Sequence, residues 1–141
     1  MAILFNHQTK KFTLKQKRKI REWILLTAYL EKKEIGDLSY VFCDDEYLLE
    51  LNKKYLKHKT YTDIITFDYS SSTEINAEIY ISTDRVRENA LVYHTLFDSE
   101  LNRIIIHGVL HCFGYSDKTP KSSEIMRKRE NHFLKLLSEL Q

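Results

Sequence analysis

His107 and His111 stand four residues apart, Gly114 follows three residues later, and Asp117 three after that. Two histidines at this spacing on a helix share one face, one turn apart, so both imidazoles can reach the same metal ion. Gly114 lets the chain leave such a helix and turn sharply. Asp117 lies past the turn, where its carboxylate can swing back toward the two rings. In a chain with six histidines the pair alone is a weak signal. The full string H-x-x-x-H-x-x-G-x-x-D is a strong one. The bland alternative is a helix with two core-facing histidines and a plain glycine cap.

Two nitrogens and one carboxylate oxygen suit Zn²⁺, with the fourth position left to water. Iron(II) takes the same ligand types. Zinc held this way makes hydroxide available near neutral pH, so the expected chemistry is hydrolysis. A closed structural site would need a fourth protein ligand. Cys112 neighbours His111 and therefore points about 100° away around the helix; it is expected in the core. The ligand spacing matches the metzincin framework, but Gly108 stands where that framework has its general-base glutamate. A peptidase of that type is not expected. A glycine there would let a backbone or a bulky substrate come close.

The elements that must position these residues are mixed. Thr13 and Gln16 fit a capping box, predicting a helix from Leu14 to about Lys32 with Ile20, Trp23, Ile24 and Leu30 on its apolar side. Gly36 is expected to break it. Leu38–Cys43 reads as a strand, and Asp44 and Asp45 as the start of a helix to about Leu56. Ile64–Phe67 and Glu78–Ile81 read as strands joined by the polar stretch Ser70–Thr73. Asp84 would cap a helix to about His94, and Asp98 another over Ser99–Phe113, ending at Gly114. Thr119-Pro120 would start the last helix, through Leu140. This order gives an α+β fold, a small mixed sheet packed against several helices, with the metal site at a helix end.

The 141 residues, 16.9 kDa, form one domain over 1–141, without linker or repeat. With 43% hydrophobic and 30% charged residues the chain is neither disordered nor a rod. Apolar runs are short, so no bilayer span is expected. The N-terminus lacks a secretory pattern. Two cysteines, Cys43 and Cys112, are too few for a disulfide framework. A cytoplasmic protein is expected. The net charge is only +2, but the cations are clustered. Lys10, Lys11, Lys15, Lys17, Arg18, Lys19 and Arg21 form one group. Lys53, Lys54, Lys57 and Lys59 form a second; Lys118, Lys121, Arg127, Lys128 and Arg129 form a third. Such groups either hold a phosphate backbone or are solvated helix faces. Tyr61 and Tyr115 near the motifs either stack on bases or pack at the rim. His58 precedes the Thr62-Asp63 segment and is the other histidine of interest.

The string resembles that of the YbeY family of bacterial rRNA maturation endoribonucleases, H-G-x-L-H-x-x-G-Y-x-H. Tyr61–Phe67 is similar to the family's P-T-D-V-L-S-F segment. Ala77–Ser82 is similar to its G-D-I-x-I-S strand, and Met126 and Glu130 to the M-x-x-x-E of its last helix. The likeness spans roughly Leu38 to Phe133. It implies one zinc ion per chain, with iron or nickel as other occupants. It also implies cleavage of single-stranded RNA, maturation of the small-subunit rRNA 3′ end, ribosome quality control, and ribosomal subunits as partners. His107 and His111 match two family ligands. Asp117 falls where the family usually has its third histidine; an aspartate keeps a ligand but makes bound water less acidic. Leu56 stands where the family has an arginine that would hold phosphate. Lys53, Lys57 and Lys59, with Lys118 and Lys121 beside the motif, are the candidate RNA contacts. No residue is identified as general base. Two other readings remain: a non-catalytic RNA-binding ribosome-assembly factor with a structural metal, and a metallohydrolase of another substrate.

Overall fold

The computed structural model describes residues 2–141. Strand β1 (Ala2–His7), helix α1 (Lys17–Leu30) and strand β2 (Glu34–Cys43) open the chain. Helix α2 (Asp45–Leu51) runs into a π-helical turn over Asn52–Leu56. Strands β3 (Ile64–Asp68) and β4 (Glu74–Ser82) form a hairpin, and α3 (Thr83–Val92), α4 (Phe97–Cys112) and α5 (Pro120–Glu139) follow. The sheet order is β1-β2-β4-β3. β1 and β4 each run parallel to β2, while β3 is antiparallel to β4. A mixed sheet packed against helices, three of which follow its last strand, is the expected α+β architecture.

Strand alternation buries Tyr40, Phe42, Ile79 and Ile81 on one face, in a single cluster with Trp23, Ile105, Val109 and Phe133 of the helices. Two buried polar tips tie the layers together. The Tyr40 hydroxyl donates to the Ile105 carbonyl at 2.9 Å, and the Trp23 indole N–H to the Phe133 carbonyl at 2.8 Å. α2 covers part of the other face, with Leu48 against Cys43 and Ile65.

Several boundaries differ from the sequence expectation. β1 was not expected; only its inward residues look strand-like, because Leu4 is exposed. There is no Thr13–Gln16 capping box. Gln16 takes a left-handed conformation, φ 57°, and α1 begins at Lys17 without a side-chain cap. Gly36 does not end that helix; it lies inside β2, where the register with β4 shifts. Asp44 does cap α2, accepting from the Tyr47 N–H at 2.8 Å. α3 is capped by Ser82 rather than Asp84, and α4 begins after Leu96 rather than at Asp98. Thr119 and Pro120 start α5 as expected, with Ser122 completing a capping box.

Candidate metal centre

α4 is apolar on most of its surface, burying Leu101, Ile104, Ile105, Ile106, Val109 and Leu110. Its open stripe is Glu100, Arg103, His107 and His111, spaced by three, four and four residues. The core thus sets the helix's rotation, and the rotation aims both imidazoles the same way. Gly108 fixes how close the helix comes. A methyl group there would lie 3.0 Å from the Ile64 side chain and 3.1 Å from that of Ile79. The close neighbours are the sheet side chains Ile64 and Ile79, so Gly108 is a packing residue, and the close approach expected from sequence is made by the sheet.

The helix ends in a Schellman turn. The Gly114 N–H donates to the His111 carbonyl at 3.0 Å, and the Tyr115 N–H to the Leu110 carbonyl at 3.1 Å. Gly114 sits at φ 110°, a conformation costly for any other residue. The turn carries the chain back over the helix end. The Ser123 hydroxyl then donates to the Asp117 carbonyl at 2.9 Å and pins the loop to α5. A second tie comes from α1's end. Glu31 accepts from the Tyr115 hydroxyl and from Arg129, each at 2.6 Å. Tyr115 is therefore a loop clamp, held at the rim.

These constraints bring the three expected residues together. The Nε2 atoms of His107 and His111 are 3.0 Å apart, and an Asp117 carboxylate oxygen lies 3.5 Å from each. A tetrahedral ion with bonds of about 2.0–2.2 Å spaces its ligands by roughly 3.3–3.6 Å. The two His–Asp separations fall in this range and the His–His pair is tighter at 3.0 Å, so the three donors form a group able to hold a metal ion.

Behind the group stands Glu130, buried on α5. It accepts from His107 Nδ1 at 2.6 Å and from Arg103 Nη1 at 2.8 Å, while Arg103 Nη2 donates to Asn131 at 2.8 Å. A carboxylate on Nδ1 fixes the proton there and leaves the Nε2 lone pair facing outward. Burial lowers the His107 pKa, but Glu130's hydrogen bond and charge, with Asp117 and Asp63, outweigh it and raise the value above its ordinary one. Burial likewise works against the Glu130 charge, but His107 and Arg103 hold its carboxyl below the usual range. Asp63 is a further half-buried carboxylate whose charge is felt at His107. Burial raises its pKa, and Asn89 donates to it at 3.3 Å. The sequence carried Glu130 and Asp63 only as members of the resembling segments; their roles depend on contacts across the fold.

The other candidates are less constrained. Lys53, Lys57, Lys59, Lys118 and Lys121 are all exposed, and none hydrogen-bonds or ion-pairs with the metal group among the described residues. Lys53 pairs with Glu50 at 3.5 Å. Leu56 is 46% exposed at the end of the π-helical turn. His58 is exposed and outside the group. Tyr61 is exposed too; its hydroxyl donates to Glu46 at 2.6 Å, and Arg85 lies over its ring. Cys112 is buried, as expected.

Among known proteins, the family model described as Endoribonuclease YbeY matches residues 3–138. A Christiangramia forsetii protein named Endoribonuclease YbeY is 48% identical over 89% of this chain and 87% of its own length. One of the same name from Parabacteroides distasonis is 45% identical over 99% of this chain and 98% of its own. The solution structure of a Thermotoga maritima protein superposes with a TM-score of 0.70, covering 96% of this chain and 89% of that one, at 22% identity; it supports the fold. With residues 3–138 matched by the family model and relatives of that name 45–48% identical over most of both chains, the chain belongs to the Endoribonuclease YbeY family.

Proposed function

We propose that this protein is a zinc-dependent endoribonuclease that cleaves single-stranded RNA, with His107, His111 and Asp117 as the metal ligands. The observation that carries the reading is the convergence of these three donors within 3.5 Å of one another in a chain of this family. A bound divalent ion would supply Lewis acidity at the scissile phosphate and hydroxide near neutral pH. The chain's own residues do the rest. Glu130 holds the proton on His107 Nδ1, and Arg103 holds Glu130. Glu31 and Ser123 keep the Asp117 loop folded over the helix end. Asp63 is a half-buried carboxylate whose charge reaches His107. The proposed substrate is rRNA, at the small-subunit 3′ end, with work on ribosomal subunits and in ribosome quality control in the cytoplasm. No described helix is long and apolar enough to cross a membrane.

One observation favours a second reading, a non-catalytic assembly factor: the side chain at position 56 is an exposed leucine, not a cation. Chelation separates the two. Metal-stripped protein should lose cleavage of a single-stranded rRNA fragment and regain it with zinc. Cleavage that is absent in metal-loaded protein, while RNA is still bound, would favour the factor.

A further inference from the structure

A cleft of about 1100 Å³ opens between the segment before α1, the start of α4 and the outer part of α5. It is larger than most small-molecule pockets, which run to about 1000 Å³. Lys11, Lys15, Lys19, Arg103 and Arg127 line it, against the two carboxylates Asp98 and Glu100. Lys11, Lys15, Lys19 and Arg127 make no ion pair within 4 Å among the described residues. Unpaired cations gathered in a concave wall are the footprint of a polyanion. Phe12, Tyr93 and Phe97 line the same cleft, and Tyr93 is 66% exposed. Phe12 and Phe97 pack against each other and the core, so Tyr93 is the exposed aromatic face among the cations, and such a face suits an unstacked base, which a duplex does not offer.

The cleft is joined to the metal group by α4. Arg103 lines the cleft, and it grips Glu130, which grips His107. Arg103 precedes His107 by four residues, a rise of about 6 Å along the helix. A strand lying along the open stripe of α4 would pass from one to the other without crossing the core.

We propose that this cleft holds single-stranded RNA beyond the scissile bond, its phosphates on Lys11, Lys15, Lys19 and Arg127 and a base on Tyr93. The assignment rests on the endoribonuclease reading and gives it a second binding surface, separate from Lys53, Lys57, Lys59, Lys118 and Lys121.

The test is fluorescence anisotropy with a labelled single-stranded RNA and a duplex of the same length, over a salt series. It compares wild type, the triple variant Lys11→Gln, Lys15→Gln, Lys19→Gln, its triple Lys→Arg counterpart, and Tyr93→Ala. Thermal melts check folding, and elemental analysis checks metal content. We expect the triple Gln variant to bind single-stranded RNA at least tenfold more weakly, with metal content unchanged. Its log–log salt slope should be shallower by about 2, at roughly 0.7 per phosphate lost. The Arg variant should bind as wild type does, and Tyr93→Ala should lose about tenfold, the scale of one stacked base. Wild-type affinity and slope in the triple Gln variant would overturn the cleft and leave the nuclease reading standing. Equal or tighter binding of the duplex would overturn the single-strand assignment. Wild type that binds no RNA and cleaves none would overturn both readings.

Discussion

The two halves of α4 are built in opposite ways. At its C-terminal end, His107 is held by Glu130, Glu130 by Arg103, and the Asp117 loop by Ser123 and the Glu31–Tyr115 pair. At its N-terminal end, Lys11, Lys15, Lys19 and Arg127 line a cleft and make no ion pair among the described residues. A metal ligand must be aimed before the ion arrives, because tetrahedral coordination tolerates little error. A groove for a flexible polyanion needs charge left free, and its gain comes from counterion release, not from fixed geometry. In the proposed reading one helix serves both demands, because its core-facing side is apolar along its length.

That contrast can be broken most severely at the ligands. His111→Ala should remove the metal and lower RNA cleavage at least about a thousandfold, since the ion is what makes hydroxide available at neutral pH. A kinetic comparison with elemental analysis checks it; full activity without metal would end the comparison. The next largest effect lies one contact back. Glu130→Gln keeps the shape but weakens control of the His107 proton, and metal affinity should fall about 10–100-fold, read by competition with a chelating dye. It should also destabilise the fold by roughly 3 kcal/mol, because Arg103 loses its buried partner. Stability would be measured on metal-free protein, so the two effects separate.

Gly108→Ala sharpens the comparison through the sheet. The added methyl presses on Ile64 and Ile79. Overpacking costs about 1–3 kcal/mol, and the better helix propensity of alanine returns up to about 1 kcal/mol. A melting temperature lower by about 2–4 °C is expected, with weaker metal binding as the helix shifts. The smallest effect is at Cys112. Burial, helped by the charge of Asp68, pushes its thiol up to about 12. Iodoacetamide at pH 8 should label it only after unfolding, and Cys112→Ala should leave metal content unchanged.

That His107 and His111 share one helix face was legible from sequence because i,i+4 geometry is local and independent of the rest of the fold. Asp117 was legible because a glycine at a helix end has few uses. Gly108 was visible, but its reason was not: the sheet that presses on it comes from residues 29 and 44 positions away in sequence. Glu130 lies 23 residues from His107, and Glu31 84 residues from Tyr115. No local pattern signals such pairs. β1 was missed because its outer face carries an exposed leucine, which blurs the alternation. The start of α1 was misjudged because Gln16 adopts a left-handed conformation that residue type alone does not announce.

The central claim is that His107, His111 and Asp117 hold one catalytic ion. It is tested most directly by counting metal in wild type and in Asp117→Ala, alongside cleavage of a single-stranded rRNA fragment by each. The account predicts about one zinc per wild-type chain, and loss of most of it together with cleavage in the variant. Metal and cleavage both retained in Asp117→Ala, or cleavage by metal-free wild type that a chelator does not touch, would contradict it.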